Sequence, residues 1–200
     1  MQTDLLTDFS PGTPSAYLAN GLVGLRIGGI PLPGGTALVN GYVGISPEKA
    51  TEEYADAPYP LGADMSIDSI WLSRHPQCVE FLRQSYDFSC GELTSEFLFH
   101  ACGKTATVRV VTFCSRTMPA LSLQEIEIEV DHACELVLQA HIDPRGLQGR
   151  LAYQCRPSKK HDGILRWESS GALSSVGVAY CSECVSEDLL KRRRNDYGHE

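Results

Sequence analysis

Two hundred residues, 42% hydrophobic and 21% charged, fit one ordinary domain with a sizeable core. The formal charge of −8 argues against a nucleic-acid partner, because phosphate binding needs clustered Lys and Arg that displace counterions. No window approaches the ~20 apolar residues of a membrane span, and Met1–Ser15 lacks the basic and apolar regions of a secretory signal, so a cytoplasmic protein without a membrane partner is expected.

Met1–Ser15 is punctuated by Pro11, Gly12 and Pro14 and reads as an irregular N-terminal arm. Tyr17–Ile27 opens on an Asn20-Gly21 turn signal and continues as a short strand, with glycine where another group can come close. Pro31–Gly35 is a turn. Ala37–Ile45 is strand-like around Asn40-Gly41, a pair that fits a bulge or a hairpin. Ser46–Pro60 lacks a β pattern and is expected to be the longest loop, with one helical turn starting where Ser46 can cap and Pro47 suits the first position. Ala63–Leu72 and Cys78–Phe88 follow as strands, and Ser89–Gly91 as a turn.

The most regular stretch runs from Gln84 to Asp131 and predicts an antiparallel meander. In Glu92–Ala101, Leu93, Phe97 and Phe99 share one parity while Glu96 and His100 take the other, Leu98 being the exception. In Gln124–Asp131, Ile126, Ile128 and Val130 alternate with Glu125, Glu127, Glu129 and Asp131. Successive strand side chains point to opposite faces, so each segment has a core side and a wet side. Beyond it, Glu135–Ile142 sets Leu136, Leu138, Ala140 and Ile142 on one side, and Asp143–Gly146 stops it. Arg150–Cys155, Gly163–Glu168 and Gly177–Cys181 are further short strands separated by turns such as Lys159–Gly163. The tail from 186 to 200, with its basic run Lys191–Arg194, reads as a solvated linker or flexible segment. Many short strands and few or no long helices make the fold class all-β, a two-sheet antiparallel sandwich or barrel.

Eight cysteines stand at 78, 90, 102, 114, 134, 155, 181 and 184. The twelve-residue step of the first four matches strand plus turn. Cys181-Ser-Glu-Cys184 is the one CxxC pair, and His161 and His199 lack the spaced partners of a zinc site, so no metal or redox centre is expected. Glu125, Glu127 and Glu129 could serve acid–base chemistry, yet like charges on an exposed strand face usually guard it against pairing. Asp64 and Asp68 are read as loop-edge acids. His75, His100, His132 and His141 lack a GxSxG nucleophile string to act with. Arg26, Arg109 and Arg116 are candidates for partly buried ion pairs. Among the aromatics, Trp71 and Trp167 are read as core or interface residues, and Tyr42, Tyr54 and Tyr59 as candidates for a sugar-stacking platform.

Two blocks carry a family resemblance. Tyr17–Arg26, followed by Val39-Asn40-Gly41-Tyr42, and then Tyr86-Asp87 through Gly91, Arg109–Arg116 and Leu121–Val130 resemble the N-terminal domain of glycoside hydrolase family 65 over about two thirds of the chain. Leu22-Val23 departs from the aromatic–leucine pair usual there, and Phe113-Cys114-Ser115 replaces a more regular lead-in to Arg116. The resemblance implies a supersandwich-like β-domain spanning 1–200 that supports and rims the active site of an (α/α)6 barrel in the same polypeptide. It implies a parent hydrolase or phosphorylase acting on α-glucosides, with a β-domain that can contribute to homodimerisation. No catalytic residue and no cofactor carries over to these 200 residues, because the general acid and the phosphate site belong to the barrel. The competing expectation is a free-standing carbohydrate-binding or adaptor β-module.

Overall fold

The computed structural model describes residues 15–155, 158, 161–186 and 191. The N-terminal arm up to residue 14, Lys159 and Lys160 of the turn before Gly163, and most of the 186–200 tail lie outside the described residues. Among the described residues, fourteen strands and three 3₁₀ turns, Leu72–Arg74, Pro76–Cys78 and Ser170–Ala172, make up the regular structure. The strands are β1 Ala16–Ala19, β2 Val23–Ile27, β3 Gly35–Ile45, β4 Glu52–Ala57, β5 Tyr59–Ile67, β6 Ile70–Trp71, β7 Val79–Asp87, β8 Glu92–Ala101, β9 Lys104–Cys114, β10 Ser122–Val130, β11 Leu136–Asp143, β12 Arg150–Cys155, β13 Gly163–Glu168 and β14 Ser175–Tyr180. Every pairing is antiparallel.

The meander is present in the order β10-β9-β8-β7. Its inner face meets two other sheets. Phe97 and Phe99 of β8 and Val108 and Val110 of β9 pack against Ala63, Met65 and Ile67 of the sheet β11-β5-β6. Further along, Leu93 and Cys114 pack against Leu18, Leu25, Ile27 and Ala37 of the sheet β1-β2-β3-β4. The two sandwich layers thus bury rings and branched chains of which Phe97 and Phe99 are fully enclosed, each contributing about 1.5–3 kcal/mol relative to exposure. A polar seam separates the clusters. Buried Gln84 donates from Nε2 to Ser95 Oγ at 2.8 Å and to the Gly28 carbonyl at 3.2 Å, tying the end of β2 to the meander. A fourth sheet, β12-β13-β14, completes the all-β sandwich.

The outer meander face is wet, as its alternation predicts. The register aligns Arg83, Glu96, Arg109 and Glu127 in one row across four strands. Arg83 pairs with Glu96 at 2.7 Å and Arg109 with Glu127 at 2.9 Å, so opposite charges alternate across the sheet.

The Asn20-Gly21 turn joins β1 to β2, with Gly21 at φ +93°. Asn20 Oδ1 accepts the Leu22 and Val23 amides, while its Nδ2 donates to the Ser115 and Pro119 carbonyls, stapling this turn to the β9–β10 connection. Asn40-Gly41 proves to be a bulge inside β3, where the register to β4 shifts between Leu38 and Val43. The expected long loop over Ser46–Pro60 is corrected. Its first turn closes through the Ala50 amide on the Ser46 carbonyl at 2.8 Å, but Glu52–Ala57 then forms β4 and Tyr59 begins β5. β4 is an edge strand with mostly exposed side chains, so no buried face imposes alternation on Glu52-Glu53-Tyr54-Ala55-Asp56. The twelve-residue cysteine step is strand plus turn: Cys78 precedes β7, Cys90 and Cys102 lie in the turns flanking β8, and Cys114 ends β9.

Candidate functional site

β11 is the edge strand beside β5, and its two faces differ in chemistry. Leu136, Leu138 and Ala140 lie opposite Ile67, Met65 and Ala63, but at the sheet edge all three are exposed. Gln139 and His141 take the other side, opposite Asp64 and Gly62, and beyond a register shift Asp143 lies opposite Tyr59. These polar groups, with Ser73, Arg145 and the prolines Pro33 and Pro144, line a cleft of about 290 Å³.

Internal hydrogen bonds hold its walls. Asp64 Oδ1 accepts the Met65 and Ser73 amides at 2.9 and 3.1 Å, and Oδ2 accepts the Ser73 hydroxyl at 2.5 Å. Arg145 grips Asp143 through Nε and Nη2, both at 2.7 Å, and its Nη2 also donates to the Pro33 carbonyl at 3.1 Å. This fork fixes the 143–146 turn against the 31–34 turn. Gly62 leaves room for the imidazole of His141. A Cβ there would stand 2.9 Å from the His141 carbonyl and 3.0 Å from Nε2, so the imidazole can lie over β5 only because no side chain occupies that position.

The electrostatics follow from burial and from the fork. Burial pushes the His141 pKa down, Asp143 and Asp64 pull it the other way, and Arg145 adds to the depression, leaving the ring neutral near pH 7. Burial opposes the Asp143 carboxylate, but the bonds and charge of Arg145 outweigh it and hold the acid below its ordinary value. His141 Nδ1 is buried without a hydrogen-bond partner. The cleft therefore offers two carboxylates, one guanidinium that largely cancels Asp143, and the neutral polar groups of Gln139 and His141.

The aromatic candidates do not form a platform. Tyr42 and Tyr59 are 4% and 1% exposed and belong to the core cluster between the β1–β4 sheet and the meander, so neither ring presents a face to solvent. Burial raises both phenol pKa values, with Cys114 adding to the effect on Tyr59. Tyr54 stands on β4 opposite Val43 with 73% exposure, outside the core that holds the other two. Trp71 and Trp167 are half-buried. Glu125, Glu127 and Glu129 are exposed on β10, Glu127 bound to Arg109. Arg109 is an ion-pair partner but an exposed one, and Arg26 and Arg116 are also exposed. Asp68 pairs with Lys104 at 2.6 Å and accepts the Glu135 amide, which locks the β5–β6 turn to the start of β11. Asp64, read as a loop-edge acid, instead sits on β5 inside the cleft. The gathering of Asp64 with His141, Asp143 and Arg145 was missed, although Gln139, His141, Asp143 and Arg145 recur at the two-residue period of a strand face.

Among the described residues, no group of three or more His, Cys, Asp or Glu is placed to hold a metal ion. Nor is any helix there long and apolar enough to cross a membrane.

No family model and no curated protein matches the sequence. Among solved structures, the chain is similar to one named "Putative kojibiose phosphorylase from human microbiome", with a TM-score of 0.60 and 12% identity. The match covers 82% of this chain and 25% of that one. At this identity the likeness is one of fold: the chain shares a distant β-sandwich architecture with about a quarter of a larger protein.

Proposed function

We propose that these residues are the non-catalytic N-terminal β-domain of a carbohydrate-active enzyme of the glycoside hydrolase 65 type, one that cleaves α-glucosides by hydrolysis or phosphorolysis. The observation that carries the reading is the fold match, which covers most of this chain but only 25% of a phosphorylase chain, agreeing in kind with the motif resemblance of Tyr17–Arg26 and Gln84–Val130. In this reading the 200 residues form one domain, and an (α/α)6 barrel in the same polypeptide supplies the general acid. The β-domain supports that barrel and rims its sugar pocket, in the cytoplasm.

The test begins with an antibody raised to this chain and used on its source cells. A product several times larger than 21.9 kDa is expected. That full-length protein should release glucose or glucose phosphate from α-linked glucose disaccharides, assayed with and without phosphate, while the 200-residue chain alone shows no turnover. A native product near 21.9 kDa overturns the reading and leaves the free-standing carbohydrate-binding module.

A further inference from the structure

We propose that the cleft between β5, β11 and the 143–146 turn is a binding site for one small polyhydroxylated ligand, a single sugar ring or a polyol. The assignment rests on the cleft's own geometry and holds whether or not a catalytic barrel follows.

Size comes first. A volume of about 290 Å³ lies at the lower end of small-molecule sites, which run from about 300 to 1,000 Å³, and suits one ring better than an extended chain. Unused hydrogen-bonding capacity comes second. Asp64 and Asp143 each accept three hydrogen bonds from their own surroundings, one short of the roughly four sites of a carboxylate. Arg145 bonds through its backbone amide, Nε and Nη2, which leaves the two Nη1 hydrogens. The Gln139 amide adds both a donor and an acceptor. A hydroxyl donates one bond and accepts two, so vicinal hydroxyls fit a wall where donors and acceptors alternate.

Charge narrows the class. Arg145 neutralises Asp143, and the remaining charge of Asp64 repels an anion. The groups are also ordered in advance, Asp64 by Ser73 and Arg145 by Asp143 and the Pro33 carbonyl, so binding requires little rearrangement of the walls. Pro33 and Pro144 offer apolar surface to the C–H bonds of a ring.

The test titrates the 200-residue chain with glucose, an α-linked glucose disaccharide and glycerol by calorimetry, with inorganic phosphate as the anionic control. At least one hydroxylated probe should bind saturably and phosphate should not compete. Gln139→Ala, at an exposed position without a side-chain bond to lose, should weaken binding about three- to tenfold. Arg145→Ala should weaken it roughly tenfold or more, because bonds from charged groups are stronger. Glu129→Gln on the far meander face should leave it unchanged. Absence of saturable binding for all three hydroxylated probes, competition by phosphate, or equal affinity in wild type, Gln139→Ala and Arg145→Ala overturns the assignment. No turnover is measured, so failure here leaves the domain reading intact, and an inactive full-length protein leaves the cleft intact.

Discussion

Replacing Gly62 by alanine tests how the cleft is built. Gly62 has no left-handed φ, so the substitution brings no backbone strain of its own. The new methyl would sit 2.9 Å from the His141 carbonyl and within 3.0–3.1 Å of the imidazole. The ring tip can turn away, but the carbonyl belongs to the β5–β11 ladder and moves only if the pairing around His141 and Gly62 opens. Overpacking of this kind costs about 1–3 kcal/mol, while the lost freedom of the unfolded chain returns about 0.4–1 kcal/mol. The clash wins, and the expected net loss is about 1–2 kcal/mol. For a chain of this size that lowers Tm by about 2–8 °C. The assay is urea unfolding, with a lower midpoint and an unchanged m-value, alongside a thermal scan. A double-mutant cycle with His141→Ala divides the cost, since truncating the ring removes the contacts to the imidazole and not the one to the carbonyl. If Gly62→Ala is as stable as wild type, the account of Gly62 as the space for His141 is wrong.

Phe97→Ala removes a ring with 0% exposure from the cluster joining the meander to β5, and should cost about 3–5 kcal/mol in urea unfolding. His141 gives a pH test: its folded pKa lies below the unfolded one, so the unfolded state binds more protons as pH falls. The associated stability is complete above the ordinary imidazole value of about 6.5 and is lost as pH drops below it. Wild type should therefore lose stability between about pH 7 and pH 5.5, and His141→Gln should show a flatter profile over that range. Arg109→Ala breaks an exposed pair in the charge row and should cost less than about 1 kcal/mol, with a smaller effect in high salt. A loss of 3 kcal/mol or more, on the order of a buried pair, would show that this row does more than cover the sheet.

The sandwich was legible wherever one strand face is buried and the other wet. β8 coincides with the segment read from Leu93, Phe97 and Phe99, because burial on one side selects an apolar residue at every second position. β4 was not legible, since an edge strand exposed on nearly all sides leaves its composition free to resemble a loop. The tyrosines misled for a related reason. An aromatic ring suits a sugar face and a core equally well, and only packing places Tyr42 and Tyr59 inside. The cleft escaped because its members come from β5, β11 and three turns, and Asp64 meets Gln139 through pairing across more than seventy residues. In Glu135–Ile142 the apolar parity marks the strand, while Gln139 and His141 on the polar parity line the cleft.

The distribution of charge explains why spare binding capacity lies where it does. On the outer meander face, each arginine of the row has a carboxylate beside it, and cross-strand pairing satisfies the row from within. On β5 and β11 the strand register sets Asp64 beside Gln139 and Gly62 beside His141, whose ring lies over the glycine, and the polar groups bordering the cleft do not all pair with one another. The Arg145 fork then closes one end by binding Asp143 and the Pro33 carbonyl, which fixes the cleft's shape and leaves Nη1 for another molecule. A ligand that bonds to these free groups binds only the folded chain, so saturating sugar or polyol should raise the Tm of wild type, and should raise that of Gln139→Ala less. Equal shifts in the two proteins would place the ligand elsewhere on the fold.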